Sequence, residues 1–86
     1  MSTNIICDFI RKYGKIVFLN YDNDDYSEII YEDDNFKLFK YVNNMLVENK
    51  LINEDEINKL KLEYEIAYFN NNEFRINKGN INLFKE

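Results

Sequence analysis

The strongest constraint on the fold of this chain is a pair of apolar-striped segments between residues 35 and 69, joined by a polar link at residues 49–53. In the first, Phe36, Phe39, Val42, Met45, Leu46 and Asn49 follow the spacing of one helix face, with polar residues on the other side. In the second, Ile57, Leu60, Tyr64, Ala67 and Tyr68 repeat the pattern. Asn53 is a good N-cap and Glu56 stands at the third helical position, so this start resembles a capping box. The spacing predicts two helices packed back to back. A second period competes in the later segment, where Leu60, Leu62, Tyr64, Ile66 and Tyr68 alternate with Lys61, Glu63, Glu65 and Ala67 as a strand would. The start signal and the helix-forming Lys, Leu and Glu favour the helix. The alternative is a short helix over residues 53–60 that runs into a strand.

The remaining elements arrange themselves around this pair. Ser2 or Thr3 can cap a first helix with the stripe Ile5, Ile6, Phe9, Ile10 and Tyr13, which Gly14 terminates. Arg11 and Lys12 fall in its last turn, where cations suit the helix dipole. Residues 15–21 (KIVFLNY) are β-branched and aromatic, and the consecutive apolar run Ile16, Val17, Phe18, Leu19 predicts a strand inside the sheet. After the turn residues 22–25, residues 26–32 (YSEIIYE) return as a more polar strand nearer an edge. Residues 33–35 form another turn and cap the next helix. Residues 73–76 and 81–84 flank a turn in which Gly79 takes positive φ. The expected fold is therefore a single α+β domain over residues 1–86: N-terminal helix, β-hairpin, central helical pair and C-terminal β-hairpin, with helices covering one sheet face. Its expected core is Ile6, Phe9, Ile10, Val17, Leu19, Phe39, Val42, Leu46, Ile57 and Leu60.

Catalytic chemistry finds little support. With no His and one Cys, the chain has no Ser-His-Asp or Cys-His arrangement and no zinc ligand set. Gly14 and Gly79 stand alone, so there is no phosphate-cradling loop, and no cofactor is expected. Carboxylate pairs such as Glu63 with Glu65 or Asp22 with Asp24 would need a deep cleft that 86 residues hardly provide. Asn20, Asp22, Asp24 and Asp25 superficially resemble a calcium loop. Asp25 replaces the turning Gly, however, and Tyr31 stands where the bidentate Glu belongs, so no metal site is expected. The chain is expected not to be an enzyme.

Composition bounds the setting. Seven Phe and seven Tyr within a 45% hydrophobic chain argue for a folded core. Cys7, set among Ile5, Ile6, Phe9 and Ile10, reads as a buried reduced thiol of a cytoplasmic protein. No apolar run approaches the roughly 18 residues of a membrane span, and no signal peptide is evident, so no membrane partner is expected. Abundant Asn, Ile, Lys and Tyr without Pro, Trp or His suggest an A/T-rich genome: a low-GC bacterium, its phages or a large DNA virus.

Charge supplies the functional expectation. A net charge of −5 opposes direct binding to nucleic acid. Asp22, Asp24, Asp25, Glu28, Glu32, Asp33 and Asp34 crowd one stretch without a Lys or Arg, and with Tyr26 they form the candidate partner-binding set. Carboxylates along a strand can approximate the phosphate spacing of a nucleic-acid strand. The partner expected is a basic host protein, a nucleic-acid-handling effector whose groove the acidic surface occupies.

Two resemblances bear on this. Residues 45–64 (MLVENKLINEDEINKLKLEY) resemble the helical hairpin called the SHOCT domain through Leu46, Leu51, Ile52, Glu54, Glu56, Ile57 and Lys59, although Lys50 stands where such hairpins often place Gly. That resemblance implies two helices and an interaction or assembly module. In size, acidity and lack of catalytic residues the chain is similar to small acidic phage inhibitors of the anti-CRISPR class, which implies a non-enzymatic, nucleic-acid-mimicking inhibitor. The alternative is a small structural or assembly module, a homodimer self-associating through aromatic residues.

Overall fold

Three hairpin turns of this chain are built from pairs of Asp or Asn. In the computed structural model, which describes residues 5–21, 24–77 and 80–81, Asp33 and Asp34, Asn43 and Asn44, and Asn70 and Asn71 hold φ between 48° and 67°. Two successive residues at positive φ make a type I′ turn, whose twist matches the strands it joins. Asn and Asp tolerate that region better than other residues with a Cβ. Each turn closes a two-residue loop, with Glu32 paired to Asn35, Val42 to Met45 and Phe69 to Asn72.

These turns produce a mostly antiparallel β structure. In chain order the elements are α1 (Ile5–Tyr13), β1 (Lys15–Leu19), β2 (Tyr26–Glu32), β3 (Asn35–Val42), β4 (Met45–Ile52), α2 (Glu54–Leu60), a 3₁₀ turn (Lys61–Glu63), β5 (Ile66–Phe69), β6 (Asn72–Asn77) and the two-residue β7 (Asn80–Ile81). The strand order is β4-β3-β2-β1-β5-β6-β7. The expected strand pair forms as β1 with β2, and β1 lies inside the sheet. The N-terminal helix also forms, ended by Gly14 at φ 85° with its N–H donating to Ile10 O at 2.7 Å.

The central helical pair does not exist, and the α+β layout built on it is corrected accordingly. Residues 35–52 form the β3–β4 hairpin, so the helical hairpin implied by the SHOCT resemblance is absent too. The physical reason lies in Asn43 and Asn44, which reverse the chain where a helix would continue. The three- and four-residue spacing arose because apolar residues occupy both faces of β3: Phe36 and Leu38 on one, Phe39 and Tyr41 on the other. The later segment takes the alternative course, a short α2 followed by β5. Its capping box forms as expected, with Glu56 N–H donating to Asn53 Oδ1 at 2.9 Å and Asn53 N–H to Glu56 Oε1 at 3.0 Å. At the C-terminal end, β6 pairs with β7 as a hairpin, while Gly79 and residues 82–84 lie outside the described residues.

Both helices pack on one face of the sheet. Alternation along the strands turns Ile16, Phe18, Ser27, Ile29, Phe36, Leu38, Ala67 and Phe69 toward Ile6, Cys7 and Ile10 of α1 and Ile57 of α2. Of the ten expected core residues, Ile6, Ile10 and Ile57 are buried. Phe9 and Leu60 pack at the margin of the core, and Val17, Leu19, Phe39 and Val42 are only half-buried. Leu46 is 51% exposed, on the edge strand β4. Arg11 ties the helices to the β2–β3 hairpin: it pairs with Glu54 and with Asp8 at 3.0 Å, and its guanidinium lies 5.1 Å from the Phe36 ring centre.

Candidate interaction surface

Among the described residues the opposite face of the sheet carries no helix, yet it is not polar. Strand register places Leu46, Tyr41, Tyr26, Leu19 and Ile66 in one row across five strands. A second row runs Phe39, Glu28, Val17 and Tyr68, and a third runs Leu51, Lys37, Ile30 and Lys15. At the centre of the first row the rings of Tyr26 and Tyr41 stack 4.7 Å apart at 14°. An antiparallel sheet with one solvated face ordinarily alternates apolar-in and polar-out. Here the open face carries aromatic and β-branched residues on every strand from β3 to β5, all of them half-buried except Ile66, which is buried.

Charged groups on this face are largely neutralised. Lys15 Nζ lies 2.7 Å from Glu28, and Lys37 Nζ lies 3.0 Å from Glu32. At the β5–β6 side, Glu73 accepts hydrogen bonds from Tyr68 Oη at 3.0 Å and Tyr21 Oη at 3.2 Å. Arg75 lies over the Tyr21 ring at 5.9 Å. Donating to a carboxylate favours the neutral phenol, so the Tyr68 pKa is raised by that bond. An open hollow of about 530 Å³ borders the face, lined by Tyr13, Lys15, Val17, Tyr68, Asn70 and Asn71.

The acidic set does not gather into one surface. Asp24 and Asp25 lie at the β1–β2 end of the sheet, whereas Asp33 and Asp34 form the turn at the other end of β2. Eight residues at roughly 3.3 Å each separate Asp25 from Asp33 by about 26 Å. Between them Glu28 and Glu32 stand on the open face with their lysine partners, and Asp34 accepts from Tyr31 Oη at 3.3 Å. Tyr26 lies in the aromatic row. Asp22 is outside the described residues. Among the described residues no cluster of three or more His, Cys, Asp or Glu is arranged to hold a metal ion, and no helix is long and apolar enough to cross a membrane.

The open face was only partly legible in the sequence: Tyr26, Glu28 and Glu32 stood in the expected partner-binding set, whereas Phe39 was assigned to a helix and Val17 and Leu19 to the core. Phe36 and Leu38 fall on one face of residues 36–41 and Phe39 and Tyr41 on the other, so no clean two-residue alternation marked the strand. Cys7 is fully buried, and burial, with Glu54 adding to it, pushes its thiol up to about 12, so it is no nucleophile at neutral pH. In comparison with known proteins the chain matches no family model, no curated protein and no solved structure, so its surface is read from geometry alone.

Proposed function

We propose that this protein is a non-enzymatic protein-interaction module that docks a partner protein on the open face of its sheet. The observation that carries this reading is the aromatic row through Tyr26 and Tyr41, flanked by Phe39, Val17 and Tyr68, on a face that neither helix covers. Aromatic anchors ringed by paired charges are the usual make-up of an interface centre and rim. The acidic inhibitor reading receives less support from the geometry, since its carboxylates split between the two ends of β2 and two of them already have lysine partners.

The test places a photo-crosslinking amino acid at Phe39 or, separately, at Asp24, in cells that encode the protein. Under the face reading, Phe39 yields a discrete adduct that persists when the lysate is brought to high salt before irradiation, and Asp24 yields none. Cross-linking from Asp24 alone, lost in high salt, would overturn it in favour of an acidic docking surface.

A further inference from the structure

At one end of the sheet the edge strand β4 has eight residues, with Met45, Leu46, Val47 and Leu51 all more than half exposed and no described strand pairing with its outer side. A free strand of this length is a template for another strand. We propose that its occupant is a second copy of this chain, joined through β4 to β4 in antiparallel register about a two-fold axis at Asn49.

The register follows from charge. A two-fold axis perpendicular to the sheet must place one residue of β4 opposite itself. Centring on Glu48 sets two glutamates face to face, and centring on Lys50 sets two lysines face to face. Centring on Asn49 sets Glu48 opposite the partner's Lys50 and Lys50 opposite the partner's Glu48. It also aligns Val47 with the partner's Leu51 and pairs the two Asn49 amides, which can donate and accept mutually. Within one chain Lys50 Nζ already lies 3.2 Å from Glu48, so in the pair each charge would meet an opposite charge both along its own strand and across the junction. Lys50 and the register irregularity opposite Lys40 and Tyr41 are the kinds of feature that guard an edge against arbitrary pairing. Of the three central alignments, only the one on Asn49 sets opposite charges across the junction. Because the axis is perpendicular to the sheet, the two open faces lie on the same side and form one continuous surface.

Sedimentation velocity of the full chain across a concentration series tests this. The wild type is expected to sediment as a dimer at micromolar concentration. Glu48→Lys and Lys50→Glu each convert both cross-strand contacts from attractive to repulsive, so each should weaken dimerisation by about tenfold or more. The double variant Glu48→Lys with Lys50→Glu should recover it, and an equimolar mixture of the two single variants should form a heterodimer. Far-UV circular dichroism checks that the single variants remain folded. A monomeric wild type at about 100 μM, or variants that neither the double swap nor mixing restores, would overturn the proposal. A dimer that resists both charge reversals and is lost in Phe39→Lys would overturn the edge register while leaving the open face as a docking surface.

Discussion

Ser27 Oγ and Tyr64 Oη lie 2.7 Å apart in the interior, each the hydrogen-bond partner of the other. Ser27 is fully buried on β2, and Tyr64 enters from the segment after the 3₁₀ turn with its ring stacked on Phe18 at 5.8 Å. Neither hydroxyl can turn to water. Tyr64→Phe strands the Ser27 hydroxyl in an apolar site and is expected to cost about 1–3 kcal/mol, whereas Tyr64→Phe combined with Ser27→Ala removes both polar groups and should recover part of that loss. Urea denaturation of the two single variants and the double variant measures the coupling directly.

The Asn43 and Asn44 turn fixes the hairpin that replaces a helix, so its conformation should be sensitive to residue type. Both residues hold positive φ, at 52° and 66°. Asn44→Val is expected to destabilise by about 1–2 kcal/mol, while Asn44→Gly should be neutral or mildly stabilising. Gly14, at φ 85° with open space around its Cβ position, should respond to Ala through backbone strain alone, by about 1–2 kcal/mol. Thermal unfolding followed at 220 nm separates these outcomes.

What the sequence disclosed and what it concealed divide along a physical line. Signals local in the chain were legible: Gly14 as a helix stop, the Asn53 and Glu56 capping box, and the interior position of β1. The β3–β4 hairpin was not, because its turn uses Asn43 and Asn44 rather than Gly, and because Phe36, Phe39 and Val42 coincide with helical spacing. Residues on both faces of a strand give an apolar pattern without clean alternation, and periodicity alone then favours the wrong element. The acidic stretch was visible as composition. Its division between the two ends of a strand over residues 26–32 was implicit in the turns read on either side, whereas the pairing of Glu28 with Lys15 depended on contact across the sheet.

Stability should fall in alkali through Cys7. Burial raises its pKa from the ordinary 9.0 to about 12, so the folded state holds a proton that the unfolded chain releases. The contribution is fully present below pH 9.0 and is lost progressively as pH rises toward about 12. The slope approaches about 1.4 kcal/mol per pH unit within that window. Cys7→Ala should flatten the dependence of unfolding free energy on pH between 9 and 11 while lowering stability at pH 7 by leaving a small cavity. Folded wild type at pH 8 should also resist alkylation by iodoacetamide, and a rapid reaction there would contradict the buried, protonated thiol.

The last prediction separates the two faces of the sheet. Phe18 and Phe39 are both aromatic and both on interior strands, and Glu28 on β2 pairs with Val17 beside the one and with Phe39 itself. Phe18 is fully buried beneath the helices, whereas Phe39 is half-buried on the open face. Phe18→Ala should therefore cost about 3–5 kcal/mol, a large share of the total stability expected for a chain this size. Phe39→Ala removes a ring already in contact with water and leaves no closed cavity, so it should cost about 1–2 kcal/mol. If the open face is the docking surface, the order reverses in binding: Phe39→Ala abolishes partner capture from a chain that remains folded at 25 °C. Equal destabilisation by the two substitutions would mean that something covers Phe39 as completely as α1 and α2 cover Phe18.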